Sequence, residues 1–163
     1  MLCSQGSNAM LKIVSSLFIM ILFVYSGSTY AQQVNHKEAN MTATGSFEVN
    51  IEPQRDTEAP AGRMILHKTY SGDLVGSGIG QMLSKRVEGG AAAYAAIEEF
   101  SGSVSGKQGT FTLIHSGFMS PQEQTLTIYV LPGSGTGELA GLSGTLDIIQ
   151  EDGKHNYVFH FEL

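Results

Sequence analysis

Tryptophan is missing from this chain, and cysteine occurs once, at Cys3. Cys3 stands upstream of the apolar run at 11–25, where no lipid-attachment cysteine would sit. Once that run is removed, the chain has no disulfide, no thiol nucleophile and no thiolate metal site. Basic residues are also few: 9 against 15 acidic, a formal net charge of −6, one unit more negative when Lys12 leaves with the leader. Nucleic acid and anionic lipid surfaces both demand basic patches, and Lys85-Arg86 is too short to be one. Neither partner is expected, and after leader cleavage no membrane association is expected either.

The run at 11–25, with Lys12 at its start and small residues leading to Thr29-Tyr30-Ala31, has the layout of a secretory signal peptide. It is shorter than the ~20 residues of a membrane span. The reading is a signal peptide over 10–31, cleaved after Ala31, and an exported protein, periplasmic or secreted. Residues 1–9, with Ser7-Asn8-Ala9 before the more ordinary start at Met10, read as an added leader or a start set too far upstream. Residues 32–40 are polar and read as a flexible tether.

What is plentiful is glycine, 20 residues, which suits tight turns better than helices. From Met41 the hydrophobic period is two: Ala43, Gly45, Phe47, Val49 and Ile51 share one face, Thr42, Thr44, Ser46, Glu48, Asn50 and Glu52 the other. Further strands are expected at 63–71, 74–84, 94–105, 109–119, 125–131, 144–150 and 154–163, the last two joined by an Asp152-Gly153 hairpin turn. The alanine run in 90–97 is expected to form a short helical turn before its strand. Ser71-Gly-Asp-Leu-Val-Gly76 is echoed by Ser101-Gly-Ser-Val-Ser-Gly106, and Leu142-Ser-Gly-Thr-Leu146 is a partial third copy. Repeated hairpin corners explain the echo. The fold class is all-β: an eight-stranded antiparallel β-barrel over 41–163, closed so that it leaves no free edge.

Gly135-x-Gly137-x-x-Ala140 follows the strand-like 125–131 and superficially matches a dinucleotide fingerprint. That fingerprint works only when it opens a helix. Here Gly141, Ser143 and Gly144 follow, and glycine disfavours a helix interior by roughly 1 kcal/mol. The segment is read as a turn between strands, and no pattern in the chain asks for a cofactor.

Tyr70-Ser-Gly-Asp-Leu74, Tyr94 with Glu98-Glu99, Gly109-Thr-Phe111 leading to His115-Ser-Gly117, Gly133 to Gly141, and His155-x-Tyr157 occur in that order. As a set they resemble a bacterial family, domain of unknown function 3224, whose barrel is similar to allene oxide cyclase. The resemblance implies the barrel and leaves activity open. Phe47-Glu48-Val49-Asn50 and Tyr70-Ser-Gly-Asp-Leu74 look like runs of the cyclase. On that likeness Glu48 and Asn50 point into a lumen, Glu48 as a charge stabiliser or base. The cyclase's cavity cysteine has no counterpart in the mature chain.

Strand parity alone leaves Glu48 and Asn50 as lumen residues or as members of a solvated face with Thr42, Thr44 and Glu52. Glu98 shares parity with Tyr94 and Phe100; buried, it would have its pKa raised by desolvation and serve as general acid or base, with Glu99 as its rival for the interior. His115 alternates with Phe111 and Leu113, and His155 with Tyr157, Phe159 and Phe161, as neutral core histidines do. The two histidines and Glu98 stand on separate strands without ligand spacing, so no metal is expected. Glu48 is the candidate catalytic residue; Asn50, Glu98, His115 and Tyr157 are candidate ligand contacts. Three functions fit: a module holding a small, mainly apolar molecule in the lumen, an isomerase or cyclase, or a solid barrel whose outer face makes a homo-oligomer.

Overall fold

The computed structural model describes residues 40–56 and 58–163. The leader, signal-peptide and most of the tether assignments therefore lie outside the described residues. Eight strands run β1 (Met41–Gln54), β2 (Gly62–Gly72), β3 (Leu74–Arg86), β4 (Ala92–Val104), β5 (Lys107–Met119), β6 (Gln124–Val130), β7 (Ser143–Glu151) and β8 (Lys154–Glu162). Each pairs antiparallel with the next, and β8 returns to β1 through Met41↔Phe161 to Phe47↔His155, closing the barrel.

The alternation decides which face turns inward. Ala43, Phe47, Tyr70, Phe100, Phe111, Leu113, Tyr157 and Phe159 are buried in one core, while Thr42, Thr44, Glu48, Asn50 and Glu52 are exposed. Asp152 and Gly153 both have positive φ, as do Ser105 and Gly106, so two hairpins close on two-residue turns of the kind that match strand twist. The expected helical turn at 90–97 does not form. Ala92 to Val104 is strand throughout, because pairing to β3 and β5 outweighs alanine's helix propensity.

Two echoed segments hold a hairpin corner, Gly72-Asp73 in the first and Ser105-Gly106 in the second, so the aligned glycines do not play matching roles. Gly72 turns β2 into β3, and Asp73 ties that corner to β1 by accepting from the Thr44 amide at 2.8 Å. Gly102 instead lies inside β4 opposite Gly76, where a Cβ on either would run into the other's backbone. Gly144 is likewise inside a strand, opposite Phe161.

The glycine-rich segment 131–142 is a turn, with a single 3-10 turn at Gly137–Leu139. It completes the wall where β6 and β7 share one registered pair, Tyr129↔Thr145. Ser134, Thr136 and Glu138, two residues apart, accept from the β5 amides of Thr112 (3.0 Å), Thr110 (3.1 Å) and Gln108 (2.9 Å). The intervening Gly135 and Gly137 have no room for a Cβ against Leu139 and Gln108. Leu139 and Leu142 drop from this segment into the core and help fill that end of the barrel.

Tyr157 pins the same end. Its hydroxyl accepts from the buried Leu74 amide at 2.7 Å and donates to the Ser71 carbonyl at 3.2 Å. Tyr157→Phe keeps the ring but leaves the Leu74 amide unpaired, so a loss of about 1–3 kcal/mol is expected in the denaturant midpoint.

Candidate functional site

Inside the wall of β2 to β5, four polar side chains meet where the pattern calls for apolar ones. Lys68 Nζ lies 2.6 Å from Glu98 Oε2, and Tyr70 donates to Glu98 Oε1 at 2.7 Å. Lys68 also reaches the Tyr70 hydroxyl at 3.3 Å. His115 Nε2 stands 3.1 Å from Glu98 Oε2, but off the line of a hydrogen bond. Among the described residues it is the buried side-chain atom left without a hydrogen-bond partner. Glu98 is 0% exposed and Lys68 6%.

Glycine makes the cluster possible. Lys68 and Tyr70 are on β2 and Glu98 on β4, two strand spacings away, roughly 10 Å. Between them β3 presents Gly78 and Gly80 to the interior, opposite Lys68 and Leu66 on one side and Phe100 and Glu98 on the other. A Cβ at Gly78 would overlap Glu98 Oε1 and crowd the Tyr70 ring. The Lys68 ammonium also sits 4.5 Å from the Phe47 ring centroid, a cation–π contact within the burial.

Burial pushes the Glu98 carboxyl up, but His115 and Lys68 together overcome it and hold the pKa at about 2. The expectation of a raised pKa is thus corrected: desolvation is the largest single cause, yet two cationic or donor neighbours outweigh it. Burial, then the charge of Glu98 and the hydrogen bond given to it, push the Tyr70 phenol well above its ordinary value. The cluster is therefore an ionised carboxylate engaged on both oxygens.

The barrel is solid from this level down to its 131–142 end and open above it. In register order, His115 lies in the inner row with Met82, Ala96 and Ile128; the next row out is Ser84, Tyr94, Gly117 and Leu126. Beyond these the lumen opens as a cavity of about 340 Å³, with Met82, Tyr94, Leu126 and Ile148 on its walls and Arg86 and Gln150 at the rim. Gly117 leaves the space that the Tyr94 ring fills. Burial raises the Tyr94 pKa, and so does the charge of Glu98, so the field of the cluster reaches the cavity wall.

A family model, "protein of unknown function (DUF3224)", matches residues 43–161. The chain belongs to the DUF3224 family. A crystal structure of a DUF3224 protein of unknown function from Shewanella oneidensis MR-1 is similar, with 40% identity and a TM-score of 0.71, covering 76% of this chain and 96% of that one. Among curated proteins none matches the chain.

In this DUF3224 barrel the sequence-derived site residues separate. Glu98 and His115 come together. Tyr157 is in the core but is spent on the Leu74 and Ser71 backbone, with its ring edge against Tyr70. Glu48 and Asn50 are corrected: both are exposed on the outer face of β1, because Phe47 and Val49 take the interior. Glu99 points outward with Ile97, and His155 stacks on Phe47. No group of three His, Cys, Asp or Glu side chains among the described residues is placed to hold a metal. Lys68 went unread, although it alternates with Leu66 and Tyr70 on the apolar parity of β2, which was the available signal.

Proposed function

We propose that this protein holds one small, mainly apolar molecule in the open mouth of its barrel. The observation that carries the reading is the cavity of about 340 Å³ above an otherwise packed lumen. That size lies at the small end of the range for ligand sites, and Arg86, Gln124 and Gln150 stand at its rim, where a ligand's polar end can be oriented. A barrel solid from end to end does not describe this upper half. Binding is favoured over turnover because Glu98, held at about 2, is occupied by Lys68, Tyr70 and His115 and offers the cavity no free base.

The rim supplies the ligand's polar end. Arg86 reaches the Gly90 carbonyl at 3.5 Å and Met119 sulfur at 4.0 Å, and among the described residues no carboxylate lies within 4.0 Å of it. The ligand we infer is an apolar body with an anionic end, met outside the cytoplasm if residues 10–31 are cleaved as a signal peptide.

Calorimetric titration with octanoate and with octanol tests this. Octanoate is expected to bind more tightly, and Arg86→Gln to weaken octanoate alone by about tenfold, the scale of a hydrogen bond to a charged group. Ala92→Trp, which fills the mouth from its rim, should abolish binding of both while the melting temperature holds. Unchanged binding by Ala92→Trp would remove the cavity as the site.

A further inference from the structure

The outside of the barrel is uneven. Beside the polar outer row of β1, the outer face of β3 to β6 carries Ile79, Leu83, Ile97, Phe118 and Tyr129, with Ile97 61%, Ile79 57% and Leu83 52% exposed. These are not scattered. Register places Gln81, Ile97, Ile114 and Tyr129 in one row across four strands, flanked by Leu83-Ala95-Ser116 on one side and Ile79-Glu99-Thr112 on the other. Strand spacing and rise give the face on the order of 500 Å², a size at which exposed apolar surface marks an interface.

We propose that this face binds the same face of a second copy of this chain, sheet on sheet about a two-fold axis. The face has two charged groups, Lys85 on β3 and Glu99 on β4, and they stand at its opposite ends. Lys85 is opposite Ala93 and Glu99 opposite Ile79, three register rows apart, roughly 20 Å. Between them lie Leu83, Ala95 and Ile97. Among the described residues neither charge has an ionic partner within 4.0 Å. A two-fold axis lying in the interface across the strands, midway between the Leu83–Ala95 and Gln81–Ile97 rows, brings Lys85 of each copy to Glu99 of the other. The patch is thus complementary to itself in charge as well as in apolarity, which an isologous contact requires. Copies with a formal net charge of −6 repel at long range, so a near-neutral apolar patch is the surface on which they can meet. A lipid surface is the poorer occupant, since interfacial binding draws on a basic fringe and this patch carries one lysine against one glutamate.

The test is sedimentation velocity on the protein as isolated, across a concentration series. A species of twice the chain mass is expected. Ile97→Asp should leave a folded monomer whose melting temperature no longer depends on concentration, because the side chain touches solvent in the single barrel. Lys85→Glu and Glu99→Lys should each weaken association roughly tenfold, since each sets like charges together twice per dimer. The double exchange should restore it, an outcome that no partner other than a second copy produces. A monomer at all concentrations, a dimer indifferent to Ile97→Asp, or failure of the double exchange to rescue would each overturn the proposal. So would flotation of the monomer with phosphatidylglycerol vesicles in place of self-association.

Discussion

Lys68→Met is expected to destabilise the barrel by about 3–5 kcal/mol, the usual effect of stripping one partner from a buried ion pair. The reason is the residue left behind. Glu98 is 0% exposed and would keep only the Tyr70 hydroxyl and an imperfectly aligned His115 around its charge. The double variant Lys68→Met, Glu98→Leu removes both charges and should recover most of that loss, because a hydrophobic pair of similar volume often replaces a buried ion pair at little net change. The unpaired Tyr70 hydroxyl retains a penalty of about 1–3 kcal/mol. Urea denaturation of the wild type, both single variants and the double variant completes the cycle, and additive single effects would show that the pair is not coupled.

Acid should act on the same pair. The fold holds the Glu98 carboxyl at about 2, below its ordinary 4.5. A carboxyl lowered on folding stabilises fully above its unfolded pKa, and that contribution is lost as the pH falls through the folded value. The difference amounts to about 3 kcal/mol at ~1.4 kcal/mol per pH unit. Wild-type stability should therefore fall steeply between pH 4.5 and about 2, and the double variant should lack that part of the slope.

How far these residues could be read in advance follows from what each interaction depends on. Strand positions and the Asp152-Gly153 turn rest on alternation and local φ preference, both of which are local, so the barrel was legible. The 131–144 segment was legible as a turn for the same reason. Its hydroxyl ladder to β5 was not, because that depends on which strand lies alongside. Glu98 was visible through parity with Tyr94 and Phe100, but its pKa direction was not, since Lys68 and His115 come from β2 and β5. Lys68 was hidden by the ordinary expectation that lysine faces water. For Glu48 and Asn50 strand parity alone could not choose between inside and outside, because either face of a barrel can be the apolar one, and the cyclase likeness pointed inward. The cavity was illegible because it is the volume left over by side chains from β3 to β7, with Ala92 small at its rim.

Gly78→Ala should be nearly as damaging as the loss of Lys68, though it adds one methyl group to a mid-strand position in the extended region where alanine is otherwise tolerated. The new Cβ would occupy the place of Glu98 Oε1 and press on its carboxyl carbon at 3.0 Å and on the Tyr70 ring at 3.1 Å. Overpacking alone typically destabilises by about 1–3 kcal/mol. Here the atom in the way is a buried carboxylate oxygen, so relief means moving Glu98 off Lys68 or Tyr70, and the total should approach 4 kcal/mol, the scale of a broken buried pair. Gly62, which also faces inward but has nothing closer than 3.8 Å to an added Cβ, serves as the control, and its alanine variant should lie within about 0.5 kcal/mol of wild type, as for a substitution that meets no such feature. In the Lys68→Met, Glu98→Ala background the obstructing carboxylate is gone, and Gly78→Ala should be tolerated with most of its effect removed. A Gly78→Ala penalty that persists unchanged in that background would mean the glycine serves the backbone of β3 rather than the space through which β2 and β4 reach each other.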